Sequence, residues 1–403
     1  MIQITDKTKC SGCTACMAAC PKQCITMEAD FEGFLYPVVD MDKCVNCGLC
    51  NQICPVETPL PVGKSLQESY VVRTKDKEVL KESTSGGMFT PLANLVLEHG
   101  GVVCAAAYDE EFVVKHQFLD GRNSWSDTDL AKFRGSKYVQ SDVRGCFVQI
   151  KELLAQDRQV LFVGTPCQVY GLKAFLKKEY NNLLTVDFVC HGTPSPKLWE
   201  KYLQHQRNKY RAKIAKICFR SKMYGYHSGG FMQIEFENGK TYLASGRVDT
   251  MLLCFFKEVA SRPICYKCPF KQRMRLSDIT LYDCWNYAQL TENNDDDFGY
   301  TNVLIHSHKG KETISMLENH TVQITVSTDD AIKLNGTMME HTPKQHPERS
   351  QFYAGMDACS LPEHVQKFLP ISQKDYVIEY IKRMIYLVPA LRKIRGIAKK
   401  FKK

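Results

Sequence analysis

Eight of the nine cysteines in the first 54 residues fall into two copies of one spacing, and no other feature constrains the chain so tightly. The first copy reads Cys10-x-x-Cys13-x-x-Cys16-x-x-x-Cys20-Pro21, the second Cys44-x-x-Cys47-x-x-Cys50-x-x-x-Cys54-Pro55. Three thiolates at intervals of three bind three irons of one cubane, and the helical turn that follows carries the fourth toward the other cluster. Cys10, Cys13, Cys16 and Cys54 are therefore expected to hold one 4Fe-4S cluster, and Cys44, Cys47, Cys50 and Cys20 the other. A pair of zinc knuckles would also use four cysteines per site, but gives no reason for both Cys-Pro endings.

This is the run of a two-cluster ferredoxin, and the short β-prone pieces Ile25 to Met27 and Phe34 to Val39 suit a small pseudo-symmetric fold around the clusters. Cys24 belongs to neither ligand set and reads as a small core residue beside a cluster. Pro55 to Gly63, with three prolines and a glycine, reads as a linker. Nineteen cysteines in a small secreted protein would suggest disulfides, but Met-Ile-Gln-Ile-Thr-Asp-Lys is no apolar signal segment. The expected compartment is reducing and cytoplasmic. No apolar run reaches the length that spans a bilayer.

From Ser69 the pattern turns to apolar strands alternating with amphipathic helices, the mark of an α/β or α+β domain. Strands are expected at Tyr70 to Arg73, Val102 to Tyr108, Phe112 to Phe118, Val160 to Val163, Leu184 to Val189, Phe231 to Phe236 and Thr241 to Ala244. The last two flank the turn Glu237-Asn238-Gly239-Lys240. Helices are expected at Gly87 to Glu98, Val143 to Gln156, Gln168 to Lys178 and Pro196 to Tyr210. Val303 to His306, a helix at Gly310 to Asn319 and Val322 to Val326 add a further β-α-β unit. Asp295, Asp296 and Asp297 lie in a polar loop that solvation explains without a metal. The expected domains are 1–60 for the two-cluster unit, 61–68 for the linker, 69–372 for the α/β body and 373–403 for a terminal helix.

Three loops of the body carry further thiols. Gly164-Thr165-Pro166-Cys167-Gln168 ends a strand and opens a helix whose N-terminus favours a thiolate, and Cys190-His191-Gly192-Thr193-Pro194 ends the next strand. Cys265-x-x-Cys268-Pro269 is the third. Four thiolates from three loops can close around another 4Fe-4S cluster or a zinc, and a redox or core role competes with both. His191 either bonds its neighbouring ligand or delivers a proton, and so is the candidate catalytic residue. His227, on a glycine-rich loop, is a weaker one. No Gly-x-Gly-x-x-Gly follows a strand, so a dinucleotide site is not expected. The Ser85-Gly86-Gly87 turn ahead of an apolar helix suits a flavin phosphate.

These loops, with Ser277-Asp278-Ile279-Thr280-Leu281-Tyr282-Asp283-Cys284-Trp285, resemble the beta subunit family of deazaflavin (coenzyme F420) hydrogenases and dehydrogenases. Ser85-Gly86-Gly87, Gly135-Ser136-Lys137-Tyr138-Val139-Gln140-Ser141 and Phe219-Arg220-Ser221-Lys222 extend the resemblance over roughly 69–335. It implies a mixed α/β iron-sulfur flavoprotein domain in which FAD sits beside a cluster held by Cys167, Cys190, Cys265 and Cys268. Ser85, Gly86, Gly87, Ser136, Lys137, Tyr138 and Gln140 would bind the cofactor. It also implies a ferredoxin- or deazaflavin-linked, FAD-dependent oxidoreductase acting on a small organic substrate, bacterial relatives being associated with surface-polysaccharide synthesis. The alternatives are an electron-transfer subunit of a larger complex and a metal-stabilised binding protein. The chain departs from the family where Tyr282 and Asn286 replace glycines and Tyr226 a tryptophan. Cys284, at a strand end, is expected in the core.

Low-potential clusters deliver single electrons while most organic substrates take two with protons, so a converter such as a flavin is required. A donor or acceptor protein such as ferredoxin is the expected redox partner. The charge of +9 sits wholly in Ile381 to Lys403, which holds nine Lys or Arg and no acid. With Ile381, Met384, Val388, Leu391, Ile394, Ala398 and Phe401 at helical spacing, this reads as a basic amphipathic helix bent at Pro389. An anionic membrane surface is the favoured target, an acidic partner or the helix's own domain the alternatives. The neutral body argues against nucleic acid.

Overall fold

The computed structural model describes residues 1–63 and 66–387. The expected bend at Pro389 and the amphipathic positions from Val388 onward lie outside the described residues. The strands are β1 (Ile25–Ala29), β2 (Leu35–Val39), β3 (Glu68–Thr74), β4 (Val102–Tyr108), β5 (Val114–Asp120), β6 (Val160–Val163), β7 (Leu183–Phe188), β8 (Ile214–Ser221), β9 (Phe231–Phe236), β10 (Thr241–Ser245), β11 (Ile279–Asp283), β12 (Thr301–Ile305) and β13 (Thr321–Val326). The described residues form two compact units: 1–63, 66–198 and 261–345 in one, and 199–260 with 346–387 in the other. These units run across the boundaries expected from sequence, because the second unit is an excursion from the α/β body that returns near the end of the chain. Linear composition carries no sign of such an excursion.

In the first unit eight strands form one sheet in the order β13-β3-β12-β11-β7-β6-β4-β5. The central β4, β6, β7 and β11 run parallel, and antiparallel strands flank them on both sides. Parallel strands are covered on both faces and read as apolar runs, and β6 shows how. Leu161 faces one core with Val103, Val186, Ile279 and the helix Phe89–Leu97. Val160 and Phe162 face another, with Phe147, Ile150, Val169, Leu172 and Phe175. Cys13, Ala15 and Ile53 of the N-terminal region belong to this second core, so the cysteine-rich segment shares a hydrophobic core with the sheet. β1 and β2 form its separate antiparallel hairpin.

The second unit is built on the antiparallel sheet β10-β9-β8, joined at the expected 237–240 turn. Trp199 stacks on Tyr202 at 5.5 Å and meets Phe219 at 5.0 Å. The buried Asp249 caps the helix Thr250–Phe256 through the Leu252 N–H at 2.7 Å, and it accepts from the Tyr202 hydroxyl at 2.6 Å and the Tyr242 hydroxyl at 3.0 Å. The helix Gln373–Leu387 is held by Glu379, which accepts from the Ser245 N–H at 3.0 Å and its hydroxyl at 2.5 Å. Arg383 binds Glu379 and the Leu243 carbonyl. Among the described residues no helix is long and apolar enough to cross a membrane.

Candidate iron-sulfur and redox site

The N-terminal thiols gather in the crossed sets that the spacing predicts. Cys13 lies within electrostatic reach of Cys54 and Cys10, and Cys16 within reach of Cys13, Cys10 and Cys54. Burial pushes the Cys13 thiol up to about 12 and Cys16 well above its ordinary value. Buried thiols grouped this way stay protonated unless a cationic centre holds them as thiolates. Thr14 Oγ1 is buried with no hydrogen-bond partner among the described residues, and the Ser11 side chain lies against the Cys13 thiol, which suits donation to cluster sulfurs. The residues present therefore fit a cubane here.

The other set, Cys20, Cys44, Cys47 and Cys50, lines a shallow hollow that opens toward solvent. The Ile2 N–H donates to Cys50 Sγ at 3.1 Å. Cys24 lines the same hollow, with its Sγ 3.4 Å from Cys20 Sγ. It is a buried residue beside the site, as its surplus to the motif implied. Cys47 is exposed, whereas Cys10, Cys13, Cys16 and Cys54 are buried. The chain therefore has an outer thiol set and an inner one.

Two parallel neighbours, β6 and β7, end on the same edge of the large sheet and deliver Cys167 and Cys190 there. Thr165 and Gln168 form a capping box and Pro166 takes the first turn of the helix Pro166–Leu176. The segment after Ala260 comes back to that edge: the Arg262 N–H donates to the Thr193 carbonyl at 3.0 Å, and Pro194 bridges to Ser261. This brings in Cys265 and Cys268, and Cys167 lies within electrostatic reach of Cys268, Cys190 and Cys265. Thr165 Oγ1 stands 3.1 Å from Cys167 Sγ, and Thr193 Oγ1 3.7 Å from Cys265 Sγ. Backbone N–H groups of Gly192 and Phe270 face Cys190 and Cys268.

The sequence led us to expect that the helix N-terminus favours a thiolate at Cys167. Burial outweighs the helix end and raises this thiol well above its ordinary value; Cys190 is pushed up to about 12 and Cys268 to about 11, also by burial. A bound cationic centre would be needed to hold Cys167, Cys190 and Cys268 as thiolates. Lys271 adds positive charge beside Cys190, Cys268 and Cys265. The buried Arg275 pairs with Asp187 at 3.2 Å beneath them. Cys284 is apart from this group, in an apolar cluster with Val71, Tyr287 and Tyr300.

The expected flavin contacts are distributed differently from one surface. The 84–87 and 135–136 turns do meet, the Ser136 N–H donating to Thr84 Oγ1 at 3.0 Å. Ser85 donates to the Tyr300 carbonyl at 2.5 Å, and the Gly86 N–H to Thr301 Oγ1 at 2.9 Å. A Cβ on Gly86 would stand 2.5 Å from the Val72 carbonyl oxygen, so this glycine serves close backbone packing. Lys137 turns back to the carbonyls of Phe133, Arg134 and Gly135. Gln140 is engaged at both ends of its amide, by the Ser11 carbonyl and by Arg262, each at 2.9 Å. That places Gln140 at the boundary of the inner thiol set. The Ser85 hydroxyl, the Gly86 N–H, the Lys137 ammonium and the Gln140 amide thus each have partners within the protein. Tyr138 neighbours this turn, and His191 is half-buried beside Cys190.

Comparison with known proteins follows the same division. Residues 9–58 match the 4Fe-4S dicluster domain, and residues 157–330 match the C-terminal region of the coenzyme F420 hydrogenase/dehydrogenase beta subunit. Residues 157–330 are thus similar to the C-terminal domain of that beta subunit family. The chain is an iron-sulfur electron-transfer protein related to the F420 hydrogenase beta subunit. A chain of the F420-reducing [NiFe] hydrogenase complex from Methanosarcina barkeri is 19% identical at a TM-score of 0.42, over 76% of this chain and 93% of that one. No curated protein matches. Every thiol of the third set lies inside the beta subunit domain, and all eight of the dicluster ligand set lie inside the other match. Arg262, Lys271 and Arg275 were not singled out by sequence reading. The only local sign of Arg262 is its place three residues before Cys265.

Proposed function

We propose that the protein is an iron-sulfur oxidoreductase in which electrons pass between an outer cluster on Cys20, Cys44, Cys47 and Cys50, an inner cluster on Cys10, Cys13, Cys16 and Cys54, and a third 4Fe-4S cluster on Cys167, Cys190, Cys265 and Cys268. The observation that carries this is the convergence of four thiols from three loops, Cys265 buried and Cys167, Cys190 and Cys268 half-buried, beside the inner dicluster set. Four cysteine thiols are the ligand complement of a 4Fe-4S cubane, and the N-terminal match to a 4Fe-4S dicluster domain supplies neighbouring clusters for a third to exchange electrons with. Replacing Cys167 by Ser should remove about four irons and leave the dicluster signals intact; unchanged iron would end the assignment.

FAD is the proposed converter between single electrons and a two-electron organic substrate. Of the expected contacts, Gly87, in the turn ahead of the helix Phe89–Leu97, and Ser136 and Tyr138, in the turn that meets it, are its proposed holders. His191 is the proposed proton donor beside Cys190. A reduction in surface-polysaccharide synthesis, in the cytoplasm, is the proposed setting by analogy alone. The exposed Met41 and Val45, near the outer hollow, offer a ferredoxin-type donor an apolar contact. That same exposure favours a second reading, an electron-transfer subunit docked in a larger complex, consistent with a family described as a subunit. Turnover by the isolated chain separates the two.

The helix Gln373–Leu387 supports the proposed membrane contact. Glu379 and Arg383 pin one side, while Tyr376, Val377, Tyr380, Ile381 and Met384 are exposed on the other. The seven Lys or Arg in Val388 to Lys403 would add attraction to anionic lipid of about 1 kcal/mol each.

A further inference from the structure

We infer that Arg262 tunes the inner cluster and joins it to the third thiol site, an assignment that rests on the proposed ligation by Cys10 and Cys265. The side chain is completely buried. Its Nε donates to the Cys10 carbonyl at 2.7 Å, one Nη to Gln140 at 2.9 Å, and the other to the Leu35 carbonyl at 2.8 Å and toward Cys10 Sγ at 3.5 Å. The guanidinium lies 4.1 Å from the centre of the Tyr36 ring and 5.4 Å from that of Phe34. Gly12 makes room for it: a Cβ there would stand 2.8 Å from Arg262 Nη1.

A fully buried cation is costly unless an opposite charge faces it. Among the described residues no Asp or Glu pairs with Arg262, and the ionisable atom it is aimed at is the Cys10 sulfur. The countercharge is then the thiolate-bound cluster, whose net charge is negative. When one electron arrives from the outer cluster, no bond breaks and no proton moves. Arg262 stabilises the added negative charge by Coulomb attraction and by its N–H directed at sulfur, both of which raise a cluster's reduction potential. Burial alone would lower it. The same residue's backbone N–H binds Thr193 and its carbonyl accepts the Cys265 N–H at 2.9 Å. One arginine thus touches a ligand of the inner cluster and fixes the loop of the next.

The test is an EPR-monitored redox titration of the full chain, purified without oxygen, as parent, Arg262→Gln and Arg262→Lys, with iron and sulfide counted on each. In Arg262→Gln the potential of one dicluster centre should fall while the outer one, identified by its response to Cys47→Ser, stays at the parent value. Arg262→Lys should show a smaller fall at the same centre. Full iron with unmoved potentials, or equal shifts at both centres, overturns the inference. If the glutamine variant loses iron, the lysine variant decides by the same criterion. Loss from both variants supports the inference if confined to the inner centre and refutes it if both dicluster centres are lost. Failure of the Cys10 assignment reads out separately, as an intact inner cluster in Cys10→Ser.

Discussion

Gly171 and Cys13 meet so closely that a Cβ on the glycine would stand 2.7 Å from the Cys13 Cβ and 2.9 Å from its Sγ. Gly171 lies four residues after Cys167 on the helix Pro166–Leu176, and side chains four apart on a helix are about 5–6 Å apart at Cβ. Cys13 of the inner thiol set is therefore about one helical turn from Cys167 of the third set. Gly171→Ala should destabilise the protein by about 1–3 kcal/mol through overpacking, seen as a lower denaturation midpoint in anaerobic urea titration. A midpoint raised by the better helix propensity of alanine would mean that the contact is loose.

Much of the architecture was legible. Val102–Tyr108, Val160–Val163, Phe231–Phe236 and Pro196–Tyr210 match the observed bounds, since apolar parallel strands, an alternating antiparallel strand beside an Asn-Gly turn and an amphipathic helix of this length announce themselves by local pattern. The two repeated cysteine runs were legible because the spacing within each is local. Arg262 was not, since its partner Cys10 is 252 residues away and an arginine before Pro263 looks like any polar loop residue. Ser85 and Gly86 look like a phosphate turn in sequence, and only the register of β3 and β12 shows that Tyr300 and Thr301 take their hydrogen bonds.

The Arg275–Asp187 pair is fully enclosed, at 1% and 0% side-chain exposure. Thr280 also donates to Asp187 at 2.5 Å. Arg275→Met leaves that carboxylate without its cation and should cost about 3–5 kcal/mol. Because Arg275 also donates to the Phe188 carbonyl at 3.2 Å, two residues before Cys190, iron at the third site should fall while the dicluster remains. Wild-type stability with full iron would contradict this.

Burial pushes the Asp249 carboxyl up to about 6, against about 3.9 for an unfolded aspartate. Its contribution is fully present below the unfolded value and is lost as pH rises toward the folded one. Relative to Asp249→Asn, the parent should lose about 1.4 kcal/mol between about pH 5 and 7, measured by urea denaturation. A difference that does not change with pH would show that the carboxyl ionises in the fold as it does unfolded.

The exposed stripe of the helix Gln373–Leu387 predicts that Tyr380→Asp with Ile381→Asp weakens sedimentation with anionic vesicles, and that removal of Val388 to Lys403 weakens it further. Neutral vesicles should bind poorly. Undiminished binding by both variants would refute the membrane contact, and no binding by the parent would leave an acidic protein as the tail's partner.

The most direct measurement is iron, acid-labile sulfide and released flavin in one sample of the full chain purified without oxygen. Three clusters predict about twelve irons per chain, with one flavin if the converter is bound. About eight irons, the dicluster alone, would contradict the central claim that Cys167, Cys190, Cys265 and Cys268 continue the electron path.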